Sequence, residues 1–305
     1  MRLQCNIASV SDLKIGDRQK MLSLMQRHYD NVCPQVFQAD LNQKRWVIQL
    51  LEPQSGELCG FSTQTLIDVQ VDGRPVQALF SGYTIIDRAK WGDQALAYAW
   101  GELVMQLIDQ GSVATQSAVS ARDCGNKFSL ADEARHDQPT DHEAAGGGLL
   151  QGAANSASAR LDRRSDPRQC SHTELWWFLI AAGYKTYRFL PVYFKEFYPR
   201  HDLATPAPVQ AVIDALAGHL YPEHYDANTG VIQAQSHQYR LRAGVADITA
   251  QRLRDPHIAF FAQKNPGHAA GDELCCVARL TRSNFTRAAE RIYPIYSATK
   301  CDNPR

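Results

Sequence analysis

The chain has 305 residues, 44% hydrophobic and 21% charged, with 32 basic and 32 acidic side chains that cancel. That length buries a substantial core, and the balanced charge excludes nucleic-acid binding driven by an overall field. No apolar run is long enough to span a bilayer and MRLQCNIASVSDLKIGD has no signal-peptide core, so the expected compartment is the cytoplasm.

Residues 4–10 read as a first strand. Ser11 or Asp12 is a candidate cap for the helix that follows, in which Met21, Leu22, Leu24, Met25 and Tyr29 recur at helical spacing. Cys33-Pro34 breaks that helix, and a short second one fills 35–44. Three strands follow at hairpin distances, 45–52, 57–71 and 76–86, which predicts an antiparallel meander. An amphipathic helix then starts near Gly92 or Asp93 and runs to about 110, with apolar residues at 96, 100, 103, 104 and 107.

Residues 111–172 are rich in Gly, Ala, Ser, Asp and Arg and carry one aromatic residue, so they read as a flexible insertion. The RLDRR at 160–164 is a solvated charge run rather than a nucleic-acid contact. LWWFLIAA (175–182) is continuously apolar, as in a strand covered on both faces. Gly183 turns the chain and Tyr184 starts a helix that Pro191 must kink or restart. A helix over 205–221 follows, with Thr205 as cap, then a short strand at 230–236 and another helix over 240–255. The segments 257–263 and 273–280 read as two strands of a closing hairpin, and 281–292 as the last helix. Eight cysteines are scattered, with no CxxC pair and no zinc-ligand spacing, so free thiols and no metal site are expected. Asn265, His268 and Asp272 read as turn chemistry.

This order resembles the GCN5-related N-acetyltransferase (GNAT) superfamily over about residues 3–110 and 173–199 plus the closing strands. The segment LFSGYTIIDRAKWGDQALAYAWGELV carries most of the likeness, with FLIAAGYKTYRFLP and GDELCC shared by an uncharacterised bacterial group of GNAT-like proteins. The resemblance implies a single α/β domain of the α+β type over 1–305. Its mixed, largely antiparallel central sheet is flanked by helices and enlarged by a helical insertion at 200–254. It implies transfer of an acyl group from a thioester, acyl-CoA or an acyl carrier protein, to an amine of a small molecule or peptide. No prosthetic group, metal, nucleic acid or membrane span enters that scheme.

In such proteins the third meander strand supplies backbone groups to the thioester, here at Phe80, Ser81 and Gly82. The loop and helix N-terminus after it hold the pyrophosphate, which points to Arg88, Lys90 and Gly92, because exposed N–H groups and a partial positive charge attract phosphate. The loop DRAKWGD nevertheless departs from the superfamily's Gly-x-Gly or Gly-x-Ala pattern, with one glycine and an aspartate. A tyrosine after the fifth strand protonates the departing thiolate, which points to Tyr187 or Tyr184, and Asp87 is the candidate base. The competing reading is a non-catalytic ligand- or partner-binding protein on the same scaffold, in which Ser81-Gly82 marks only a β-bulge.

Overall fold

The computed structural model describes residues 2–124, 173–234, 240–242 and 247–292. Met1–Val113 and His172–Arg305 form one compact unit. Of the second unit, Ala114–Ser171, only the end of a helix is described.

The chain opens with β1 (Gln4–Ser9), α1 (Ile15–His28), the two-residue β2 (Tyr29–Asp30) and α2 (Pro34–Asn42). Neither Ser11 nor Asp12 caps α1; a 3-10 turn over Val10–Asp12 intervenes, and Lys14 occupies the cap position. The meander is β3 (Trp46–Leu51), β4 (Leu58–Val71) and β5 (Arg74–Ile86). Asp72 and Gly73 turn the β4–β5 hairpin with φ of 49° and 74°, the two positive values a two-residue turn needs to match strand twist.

Helix α3 (Ala95–Cys124) extends past the predicted end at 110. The rest of the proposed 111–172 insertion, with the RLDRR run, lies outside the described residues. Strand β6 (Glu174–Ala181) leads into two short helices, α4 (Tyr184–Tyr187) and α5 (Phe189–Tyr193), broken at Arg188 as Pro191 requires. Then come α6 (Ala207–Leu220), β7 (Tyr225–Asp226), β8 (Val231–Ile232), β9 (Arg240–Leu241), α7 (Pro256–Lys264), β10 (Glu273–Arg279) and α8 (Arg287–Ile292).

Eight strands form one sheet in the order β1-β3-β4-β5-β6-β10-β8-β7, while β2 and β9 pair separately. Among the described residues, only β5 and β6 run parallel within the large sheet; the other pairings are antiparallel. This is the mixed, largely antiparallel sheet expected, in the predicted element order through β6. One face packs α1, α2 and α6 through Met21, Phe37, Phe61, Phe178 and Leu216. The other packs α3, α4, α5, α7 and α8 around Trp100, Trp177, Tyr187, Phe194 and Phe261. The apolar run of β6 serves both, with Trp176 and Phe178 on one side and Trp177 and Leu179 on the other.

Two expectations fail after α6, and the last helix, expected over 281–292, starts only at Arg287 after a 3-10 turn at Arg282–Asn284. Residues 257–263 are helix α7, not a strand, and the partner of β10 away from β6 is the two-residue β8. The Asp255 side chain accepts the backbone N–H of His257 at 3.0 Å and Pro256 takes the first turn, an N-cap that outweighs the strand-like run HIAFFAQ. Ile258 and Phe261, three apart, then share the inward face. Of the predicted helix at 240–255, the described residues hold only β9 and a 3-10 turn at Arg252–Arg254. Among the described residues, the other helix of the proposed 200–254 insertion is α6, which starts at Ala207 with Pro206, not Thr205, as N-cap.

Candidate active site

The β4–β5 ladder pairs Ser62 with Thr84 and Gln64 with Ser81, so Gly82 and Tyr83 together oppose Thr63. This bulge carries one residue more than its partner strand and increases local twist. It also explains the glycine. A Cβ on Gly82 would stand 2.8 Å from Thr63 Oγ1 and 3.0 Å from Lys44 Cε. The parallel β5–β6 ladder ends at the same point, with Ser81 opposite Leu179. From Gly82 onward β5 leaves β6, and its β6-facing edge is no longer paired to that strand.

Two cavities of about 380 Å³ each meet at this divergence. They share the wall residues Tyr29, Thr84, Gly183 and Thr186. The first lies toward the N-terminus of α3 and is lined by His28, Trp91, Gly92, Tyr184 and Lys185. The second lies on the α1–α2 side and is lined by Phe37, Lys44, Phe80, Tyr83, Tyr221 and Glu273. A larger cavity of about 520 Å³ near Arg200, Gln210 and Lys264 shares no wall residue with either. Its Arg200 is already held by Asp202 at 2.5 and 2.6 Å.

A buried chain of hydrogen bonds leads to the shared wall. Trp177 Nε1 donates to Ser81 Oγ (2.9 Å), which donates to Gln64 Oε1 (2.7 Å). Gln64 Nε2 donates to Ser62 Oγ (2.8 Å), which lies 2.8 Å from Thr84 Oγ1. The bulge puts Ser81 and Thr84 on one face opposite Gln64 and Ser62, so these groups satisfy one another where water is excluded.

The α3 end of the first cavity shows why its loop departs from the glycine-rich pattern. Asp93 Oδ1 accepts the N–H of Ala95 at 2.7 Å and Oδ2 that of Leu3 at 3.0 Å. A carboxylate thus already sits at the helix N-terminus. Positive charge comes instead from side chains around Trp91, an indole 41% exposed. Lys185 Nζ lies 3.3 Å from its ring centre and the Arg88 guanidinium 5.4 Å. Burial, with Arg88 and Arg252 nearby, lowers the Lys185 pKa. Gly92 holds φ at 99°, a left-handed conformation costly for other residues. Lys90 is turned to an ion pair with Glu52.

The other predicted site residues separate. Phe80, Ser81 and Gly82 stand at the divergence, and Tyr184 lines the first cavity. Tyr187 does not line either cavity: it is fully buried against Phe197, Phe260 and Phe261, and its hydroxyl donates to the Pro199 carbonyl at 2.9 Å. Asp87 is not in either wall; it lies 3.4 Å from Arg27, and its backbone N–H donates to the Cys59 carbonyl at 2.7 Å. Asn265, with Asp272, closes a turn: its amide donates to the carbonyls of Ala181 (3.3 Å) and Asp272 (2.7 Å).

Glu273 stands inside GDELCC, where local pattern alone assigns it no role. Leu274 pairs with Ala181, so Glu273 lies level with Ala182, next to the shared wall residue Gly183. Its carboxyl has no hydrogen bond or ion pair among the described residues, and burial raises its pKa to about 7. It in turn helps push the hydroxyls of Tyr29 and Tyr221 upward, after burial. The only advance signal was an acid opening an apolar strand. His28, in the first cavity, has a buried Nε2 without a hydrogen-bond partner among the described residues, and burial lowers its pKa. Among the described residues no group of three or more His, Cys, Asp or Glu side chains is placed to hold a metal ion, and no helix is long and apolar enough to cross a membrane.

Neither a protein-family model nor a curated protein sequence matches the chain. Solved structures do resemble it. A conserved protein of unknown function from Enterococcus faecalis V583, described as a probable N-acyltransferase, is 12% identical with a TM-score of 0.36, over 90% of this chain and 65% of that one. A GNAT family N-acetyltransferase from Escherichia coli in complex with CoA is 16% identical with a TM-score of 0.28, over 36% of this chain and 59% of that one. Glucosamine-6-phosphate N-acetyltransferase from Arabidopsis thaliana is 14% identical with a TM-score of 0.26, over 44% of this chain and 98% of that one. The chain thus spans under two thirds of the length of the first two.

Proposed function

We propose that this protein is an N-acyltransferase that moves an acyl group from acyl-CoA to an amine. The observation that carries the reading is the divergence of β5 from β6, with one cavity on each side of a shared wall. A thioester donor enters along the first cavity, its phosphates beside Arg88 and Lys185 and its adenine against the exposed Trp91 face. The unpaired β5 edge after Ser81 polarises the carbonyl, with the Thr84 hydroxyl alongside. The amine approaches from the second cavity.

The chemistry needs no covalent enzyme intermediate. The bound ammonium gives one proton to the Glu273 carboxylate, ionised above neutral pH, which frees the nitrogen lone pair to form the bond to the thioester carbon, and the second proton the nitrogen then sheds replaces the one that leaves the Tyr184 hydroxyl. The C–S bond breaks, and the Tyr184 hydroxyl gives the thiolate its proton. Glu273 therefore replaces Asp87 as base, and Tyr184 is preferred to Tyr187 as acid because it lines the donor cavity.

Asp93 supports a second reading. A carboxylate at the α3 N-terminus repels pyrophosphate, which favours a donor carried on an acyl carrier protein. Calorimetric titration with acetyl-, malonyl- and long-chain acyl-CoA tests both. Binding by one of them that quenches Trp91 fluorescence supports CoA. Silence from all, with turnover on an acyl carrier protein, supports the second reading. Silence from both donors refutes the transferase and leaves a binding scaffold.

A further inference from the structure

The second cavity has a particular charge and lining. Its walls are mainly apolar and aromatic, with Met25, Phe37, Phe80, Tyr29, Tyr83 and Tyr221 among them. Four side chains there can carry charge: Asp40, Lys44, His224 and Glu273. Asp40 and Lys44 cancel, with Nζ 2.7 Å from Oδ1 and the lysine side chain only 7% exposed. Lys44 Nζ also lies 5.3 Å from the centre of the Phe80 ring, so its charge has two partners. His224 has its own interactions. Glu273 is left as a carboxylate without counter-charge or hydrogen bond among the described residues. A carboxylate in an aromatic-walled cleft is costly unless a ligand brings the missing positive charge.

We infer that the acceptor is a compact primary amine with a single positive charge on an apolar or aromatic body, its ammonium held at Glu273 and its body packed on Phe37, Phe80, Tyr83 and Tyr221. This rests on the proposed acyl transfer for its consequence but not for the binding itself. The size fits, because about 380 Å³ lies near the lower end of the usual range for small-molecule sites, roughly 300–1,000 Å³. The charge count fits as well. One uncompensated carboxylate selects one ammonium, whereas each further charge of a polyamine or aminoglycoside would lose its water with no free carboxylate to meet it, since Asp40 is held by Lys44, and an aromatic face returns only a small part of that cost. The register places the ammonium correctly, since Glu273 lies level with Ala182 at the edge of the shared wall.

The test is binding by calorimetry in the absence of any donor. The probes are 2-phenylethylamine, its uncharged analogue 2-phenylethanol, spermidine and the aminoglycoside kanamycin. Tightest binding by 2-phenylethylamine, about tenfold or more over each of the others, is expected, with a similar loss in Glu273→Gln. The wild-type series needs no variant to fold, and a melt of Glu273→Gln checks that protein separately. Spermidine or kanamycin binding as tightly as 2-phenylethylamine overturns the inference, and so does an undiminished affinity in folded Glu273→Gln. Acetyl-CoA binding, measured in a separate titration, judges the transferase reading: an amine that binds as expected beside a silent donor upholds the pocket and rejects the reaction.

Discussion

At pH 8 the Glu273→Gln protein is expected to melt above the wild type, although it has lost its proposed base. Glu273 opens β10 with its carboxyl turned into the cleft and no partner among the described residues. Burial raises its pKa from 4.5 to about 7. Between those values the folded state keeps a proton that the unfolded state releases, so wild-type stability falls as pH rises from about 4.5 to about 7. At about 1.4 kcal/mol per pH unit the loss is about 3 kcal/mol, complete above pH 7 and absent below pH 4.5.

A neutral glutamine has no such loss. With an unfolding entropy of about 2.1 cal/mol/K per residue, the variant should melt about 5 °C higher at pH 8 and no higher near pH 4.5. Other groups titrate too: burial lowers the pKa of His28 and of His257, so their contribution to stability rises with pH. They are common to both proteins and cancel in the difference. Tyr29 and Tyr221, which face the carboxyl, are pushed upward, out of this window. Differential scanning calorimetry of both proteins from about pH 4.5 to about pH 8 reads the effect. Melting temperatures that stay parallel across that range would refute a partly desolvated carboxyl without a partner among the described residues at this position.

Gly82→Ala should cost about 1–3 kcal/mol in urea denaturation, because the new Cβ meets Thr63 and Lys44 at the bulge. Ser81→Ala should cost a similar amount, about 1–3 kcal/mol, since it strands the buried Trp177 Nε1 and Gln64 Oε1; a change under about 0.5 kcal/mol would mean the chain of hydrogen bonds is not closed. Lys185→Met should raise KM for acetyl-CoA by about tenfold with kcat little changed, and flatten its salt dependence in steady-state assays. Tyr184→Phe should lower kcat by about 100-fold, whereas Tyr187→Phe should leave kcat within about twofold and cost about 1 kcal/mol of stability.

Much of the frame was present in local pattern. Asp72-Gly73 between two alternating runs specifies a hairpin, LWWFLIA specifies a strand buried on both sides, and Pro191 specifies a break, because each follows from backbone sterics or short-range periodicity. The Ser81-Gly82 pair was legible as a special point on β5, though as two competing readings. In the structure the bulge at Gly82–Tyr83 stands where β5 leaves β6.

Other features depended on partners far along the chain. HIAFFAQ is too short for its apolar pattern to choose between strand and helix, and the Asp255 cap chose helix while β8 filled the sheet position beside β10. Tyr184 and Tyr187 look interchangeable in sequence; one turn of helix puts the first in the cleft wall and the second under Pro199. Composition fixes how many carboxylates the chain has but not which one is drawn partly out of water. That was decided by tertiary packing, which brought β10 beside β6 and set Glu273 among tyrosines from β2, β5 and the end of α6.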